Sequence, residues 1–147
     1  MPVPLPPPAH ATAAKVSAET VIVREINRVR RSHHLHAVKL TKPLTRVART
    51  HSDEMLQHDV LSHSSFNGST FSSRLRRAGK HRQYGETLAW APDGSGASGK
   101  MVVSLWMNSA PHRAVLLNGA LRRVGIGRVY GSMGTQAGNA ITADFSS

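Results

Sequence analysis

His51-Ser52-Asp53-Glu54-Met55, Leu61-Ser62-His63-Ser64, Tyr84-Gly85-Glu86-Thr87-Leu88-Ala89-Trp90 and Leu105-Trp106-Met107-Asn108-Ser109-Ala110-Pro111-His112-Arg113 carry the pattern on which the fold turns. Separated segments each deliver an ionisable side chain beside small or turn-forming residues, which is how a cleft is assembled from distant parts of a chain. His63, Glu86 and His112 are the candidate cleft residues, with His51, Thr87 and Ser109 as secondary candidates.

Around this stretch the chain reads as one domain. Its 147 residues are 39% hydrophobic, enough for a core, and no run approaches the roughly 20 apolar residues that span a bilayer. There is no cysteine, which excludes disulfides, thiolate nucleophiles and Cys-ligated zinc. Nineteen Lys and Arg against eight Asp and Glu give a formal charge of +11. Such a surface attracts polyanions, and 13 of the cations fall within residues 24–49 and 74–82. The chain has only seven aromatics and no zinc-finger spacing, so the cations read as a solvated basic face rather than a specific nucleic-acid site.

Residues 1–16 hold five prolines in the first eight positions, which forbids a helix. Ala11-Thr12-Ala13 fits a small-x-small cleavage site. The arm therefore reads as the tail of an export signal starting upstream of Met1, or as a linker, and residues 17–147 as the folded domain.

Ser17 or Thr20 caps a first helix, in which Ile22, Ile26 and Val29 form the apolar stripe and Arg24, Arg28, Arg30 and Arg31 take other positions. It ends at His33-His34-Leu35-His36. Thr41 and Pro43 open a second helix whose stripe is Leu44, Val47, Ala48, His51 and Met55. On that stripe His51 reads as a hydrogen-bonded core residue more readily than as a ligand, while Asp53 and Glu54 fall on solvated faces. His63 lies on the loop that follows, and Ser69 or Thr70 starts a short helix over Phe71–Ala78, stopped by Gly79.

Tyr84–Ala91 leads into a turn cluster at Pro92-Asp93-Gly94-Ser95-Gly96. Glu86, in a mostly apolar surround, is a partner of a histidine or of backbone amides, a general acid/base with a raised pKa, or a cap for the next segment. Gly99–Asn108 fits a helix buried through Met101, Val102, Leu105 and Trp106. Pro111 disfavours its continuation and leaves His112 just beyond its end. Arg123–Tyr130 and Ala140–Phe145 alternate as two antiparallel strands, with turn residues at Gly131–Gly134 and Gly138-Asn139. Val124-Gly125-Ile126-Gly127 lacks the third glycine and the following helix of a dinucleotide site.

In this order and at these intervals, His63 in its Ser-His-Ser loop, Gly85-Glu86-Thr87-Leu88-Ala89-Trp90, Trp106 through Arg113, and Val124-Gly125-Ile126-Gly127 resemble the CAP superfamily. That group comprises cysteine-rich secretory, antigen 5 and pathogenesis-related proteins, and the similarity is to its cysteine-free bacterial branch. It covers roughly residues 20–146. The resemblance implies an α+β fold, a three-layer α-β-α sandwich with a central antiparallel sheet, and a cleft of two histidines and two acids. His63, Glu86 and His112 match three of those; Ser109 stands where the family has its second glutamate, and Thr87 where it has asparagine.

The missing carboxylate removes a charge that would favour a dication. Zn²⁺ or another divalent ion on His63 and His112 is then weakly held, or depends on His51, Asp53 or an added ligand. The implied function is an exported binding module for a small-molecule, lipid or cell-envelope ligand. The alternatives are a metal-assisted or general-base hydrolase acting on peptide or wall material, and non-specific polyanion binding through the basic face.

Overall fold

The computed structural model describes residues 17–93 and 98–147. The expectations for the arm 1–16 and for Gly94-Ser95-Gly96 lie outside them. In chain order the elements are α1 (Ala18–Ser32), β1 (Lys39–Leu40), α2 (Lys42–Gln57), α3 (Phe71–Leu75, continued by a 3₁₀ turn over Arg76–Ala78), β2 (Tyr84–Pro92), α4 (Gly99–Met107), α5 (Ala110–Leu116), β3 (Arg123–Met133) and β4 (Gln136–Ser146).

The four strands form one sheet in the order β1-β3-β4-β2. The β3–β4 hairpin and the β2–β4 pair are antiparallel, and only the two-residue β1 runs parallel, beside β3. The hairpin turns at Gly134, whose φ of 61° suits glycine, so the expected turn residues Gly138 and Asn139 lie inside β4.

Alternation along the strands splits the sheet into two faces. Val124 and Ile126 of β3, Ala89 and Ala91 of β2, and Ile141, Ala143 and Phe145 of β4 pack with Ile22, Ile26, Val102, Val103, Trp106 and Leu116 in the main core. Each large side chain buried there stabilises by ~1.5–3 kcal/mol. The opposite face takes α2, where Met55 packs on Leu88 and Ala140 and the Ser52 hydroxyl donates to the Gly127 carbonyl at 2.7 Å.

The two glycines of Val124-Gly125-Ile126-Gly127 explain how α2 lies so close. A Cβ on Gly125 would stand 2.1 Å from the Leu44 carbonyl carbon, and one on Gly127 2.3 Å from that of Ala48. Both neighbours are helix backbone, so any side chain there would lift α2 off the sheet.

Several sequence expectations change. Tyr84–Pro92, given no element from the sequence, is a nine-residue strand, so Glu86 sits inside a strand and caps nothing. The buried face of α4 is Gly99, Val102, Val103 and Trp106, while Met101 and Leu105 are exposed. Trp106 swings that face inward, its indole N–H donating to the Leu88 carbonyl at 2.9 Å. Pro111 sits at the start of α5, where its missing N–H is harmless, and His112 therefore lies in the first turn of a helix.

Arg30 is fully buried rather than facing solvent. Its guanidinium donates to the carbonyls of His36, Leu116, Asn118 and Leu121 at 2.8–3.0 Å, which locks the end of α5 against α1.

Candidate functional site

Glu86 on β2 faces Asp144 on β4 in register, and alternation puts both carboxyls on the α2 face of the sheet. Two carboxyls side by side in a dry interior require a cation. Arg74 of α3 supplies it: one guanidinium nitrogen donates to Glu86 Oε2 at 2.7 Å and to Asp144 Oδ2 at 3.3 Å. The three side chains are 4% exposed or less.

Burial alone would raise the Glu86 carboxyl. Hydrogen bonds from His63, Asp144 and Arg74, with the Arg74 charge, outweigh it and hold the group at about 2. Asp144 goes the other way, raised well above the usual range by burial and then by its hydrogen bond to Glu86. The two carboxyls thus shift in opposite directions, Glu86 toward its charged form and Asp144 toward its protonated form. Of the alternatives open for Glu86, its contact with His63 fits the partner of a histidine, and its pKa is lowered where an apolar surround alone would raise it.

The remaining donors of Arg74 build the loop that carries the first histidine. They reach the His63 carbonyl at 2.9 Å and the Ser65 hydroxyl at 3.2 Å. His51 supports the same loop from α2, its Nε2–H donating to the Ser62 carbonyl at 2.6 Å. Burial, then the Arg74 charge, lowers the His51 pKa, so this fully buried ring is neutral. His51 is the hydrogen-bonded core residue that its stripe suggested. Glu54 is less solvated than expected, one carboxyl oxygen being shielded 3.6 Å from His51 Nδ1.

His63 is held at 2.9 Å from Glu86 Oε1 through Nδ1, with half its side chain exposed. A carboxylate only accepts, so Nδ1 carries the proton and, in the neutral ring, Nε2 keeps its lone pair. His112 comes from α5 in the opposite layer, which packs against β2, the edge strand. Its pKa is lowered by burial and then by the charge of His63.

The other candidates are placed differently. Thr87, next to Glu86 on β2, is fully buried toward the main core. Ser109 holds the N-cap position of α5, and among the described residues its hydroxyl makes no hydrogen bond to His112. Asp53 is exposed and accepts from Gln57 at 3.1 Å.

Among the described residues no three His, Asp or Glu side chains are gathered to hold a metal ion.

A sheet between α2 with α3 on one face and α1, α4 and α5 on the other defines an α-β-α domain of the CAP class. Residues 23–145 match the CAP family, described as the cysteine-rich secretory protein family, and the chain belongs to it.

It is 29% identical over 114 residues to the uncharacterized membrane protein YlbC of Bacillus subtilis (strain 168), covering 77% of this chain and 32% of that one. The chain thus spans about a third of that relative. A 1.5 Å crystal structure of an extracellular protein containing a SCP domain from Bacillus anthracis str. Ames superposes with a TM-score of 0.74 at 27% identity, over 88% of this chain and 40% of that one. An outer surface protein of Borrelia burgdorferi shares the fold, with a TM-score of 0.70 at 20% identity over 86% and 89% of the two chains. No helix among the described residues is long and apolar enough to cross a membrane.

Proposed function

We propose that this domain works outside the cell or at its envelope as a binding module, whose ligand enters the cleft between His63 and His112. The extracellular setting of the Bacillus anthracis protein supports that location. The observation that carries the binding reading is the Glu86 carboxylate, committed on one side to His63 and on the other to Arg74. Held at about 2, it takes up no proton in ordinary turnover and serves to aim His63.

A divalent ion such as Zn²⁺ would be held by His63 Nε2 and His112, giving an anionic ligand a Lewis-acid anchor. Two imidazoles make half a tetrahedral shell, so binding is weak and the ligand completes it. Calorimetric titration of Zn²⁺ tests this. The wild type should bind, and His63→Ala and His112→Ala should each abolish the heat. Binding unchanged in both variants would overturn it.

The His63–Glu86 pair also favours a second reading, because an imidazole oriented by a carboxylate is the form a general base takes. Incubating the protein with a peptide or peptidoglycan digest, with and without Zn²⁺, separates the two. Turnover lost in Glu86→Gln, with Zn²⁺ binding kept, would establish the hydrolase; no turnover leaves the binding module.

A further inference from the structure

A pocket lined by neither His63 nor His112 opens between α2, the loop after His58 and the 3₁₀ turn, with a volume of about 350 Å³. Arg46 and Thr50 from α2, Asn67 from the loop and Arg77 from the turn bring polar groups to it. The rings of His58 and Phe66 stack at 4.1 Å between centroids and 7° between planes, giving it one flat wall.

Its charges are unequally matched. Arg74 also lines the pocket, but its charge is met by Glu86 within the sheet. Glu54, the one acid in the lining, turns an oxygen toward His51 and away from solvent. Neither Arg46 nor Arg77 makes an ion pair among the described residues, although Arg28 and Arg49 do so with Glu25 and Glu19. Asn67 uses its oxygen to accept from Ser69, which leaves its amide N–H groups for a ligand.

We propose that this pocket binds the oxyanion of a small ligand, a carboxylate or a phosphate monoester, between Arg46 and Arg77, with the body of the ligand against the His58–Phe66 wall. Forked guanidinium donors suit either group, and charge-assisted hydrogen bonds give the largest return where the cation has no other partner. The pocket is also joined to the cleft. Ser65 lines it while accepting from Arg74, and Arg74 holds the His63 carbonyl and Glu86. An occupant therefore braces the loop that carries His63.

Glycerol phosphate and N-acetylalanine are the two probes, titrated at low salt with amide chemical shifts followed by NMR. One or both should shift the Phe66 and Asn67 amides, and the tighter binder tells phosphate from carboxylate. Arg46→Gln and Arg77→Gln should each weaken that binding about tenfold. Arg24→Gln, which removes the same charge from an exposed position on α1, should leave it within about twofold. Equal weakening by Arg24→Gln would mean attraction to net charge alone and would overturn the site, as would the absence of shifts with both probes at millimolar concentrations.

Discussion

Arg74→Met is the substitution that the structure makes most expensive, and its cost follows from which charges remain. Among the described residues Arg74 is the one Arg or Lys paired with the facing Glu86 and Asp144 carboxyls in the dry interior. Without it their negative charge is buried with only the His63 imidazole beside it. Breaking a buried pair in this way costs about 3–5 kcal/mol. Loss of the bonds to the His63 carbonyl and the Ser65 hydroxyl adds to that.

Glu86→Gln should cost much less, about 1–2 kcal/mol. Asp144 already lies 3.3 Å from the guanidinium and can give up its proton to replace the lost charge. The double variant Arg74→Met with Glu86→Gln leaves a neutral Asp144, and should be more stable than Arg74→Met alone. Urea unfolding near pH 7, with the midpoint multiplied by the slope, reads all three. An Arg74→Met cost below about 1 kcal/mol, or a double variant costing the sum of the singles, would refute the shared-charge argument.

Three further outcomes are expected. Gly127→Ala puts a methyl group 2.3 Å from helix backbone and should cost about 3 kcal/mol, the upper range for overpacking, with a matching fall in thermal midpoint. Arg30→Met orphans the buried carbonyls of Leu116 and Leu121 and should cost about 3 kcal/mol or more, while exchange protection falls in α5 ahead of the sheet. His51 has a folded pKa below its ordinary 6.5, so the unfolded chain binds its proton first and stability is lost as pH falls below about 6.5. Asp144, raised in the fold, contributes the opposite slope, so the informative comparison is with His51→Gln. That variant keeps an N–H donor for Ser62 and should lose less stability than the wild type between neutral pH and pH ~5.5 in urea titrations.

The helices that carry strong apolar stripes were legible in the sequence, and so was the hairpin, because periodicity reports which face is buried. The β2 strand was not. Gly85-Glu86-Thr87-Leu88-Ala89 is buried on both faces of the sheet and shows no alternation. The boundary at Pro111 misled because a proline that ends one helix also starts the next well.

His63 and Glu86 were legible as partners, since a loop histidine and an acid inside an apolar run each need one. Arg74 and Asp144 were not, because Arg74 lies in a run of surface-like cations and Asp144 sits within an expected strand with no partner nearby in sequence. The one available signal was Asp144 as the lone charge within Ala140–Phe145, a segment otherwise fit to be buried, whose acid would demand a cation from elsewhere. Likewise nothing local distinguishes Arg30 from Arg31, because its four acceptors lie as far as 91 residues away.

The central claim is that Glu86 fixes the proton of His63 on Nδ1 and leaves the lone pair on Nε2. Nitrogen-15 NMR of the histidine side chains measures this directly. The account predicts Nδ1 as the protonated nitrogen of the neutral His63 ring, a Zn²⁺-induced shift at Nε2, and loss of the tautomer preference in Glu86→Gln. A ring protonated on Nε2 in the wild type, or a tautomer unchanged by Glu86→Gln, would contradict it.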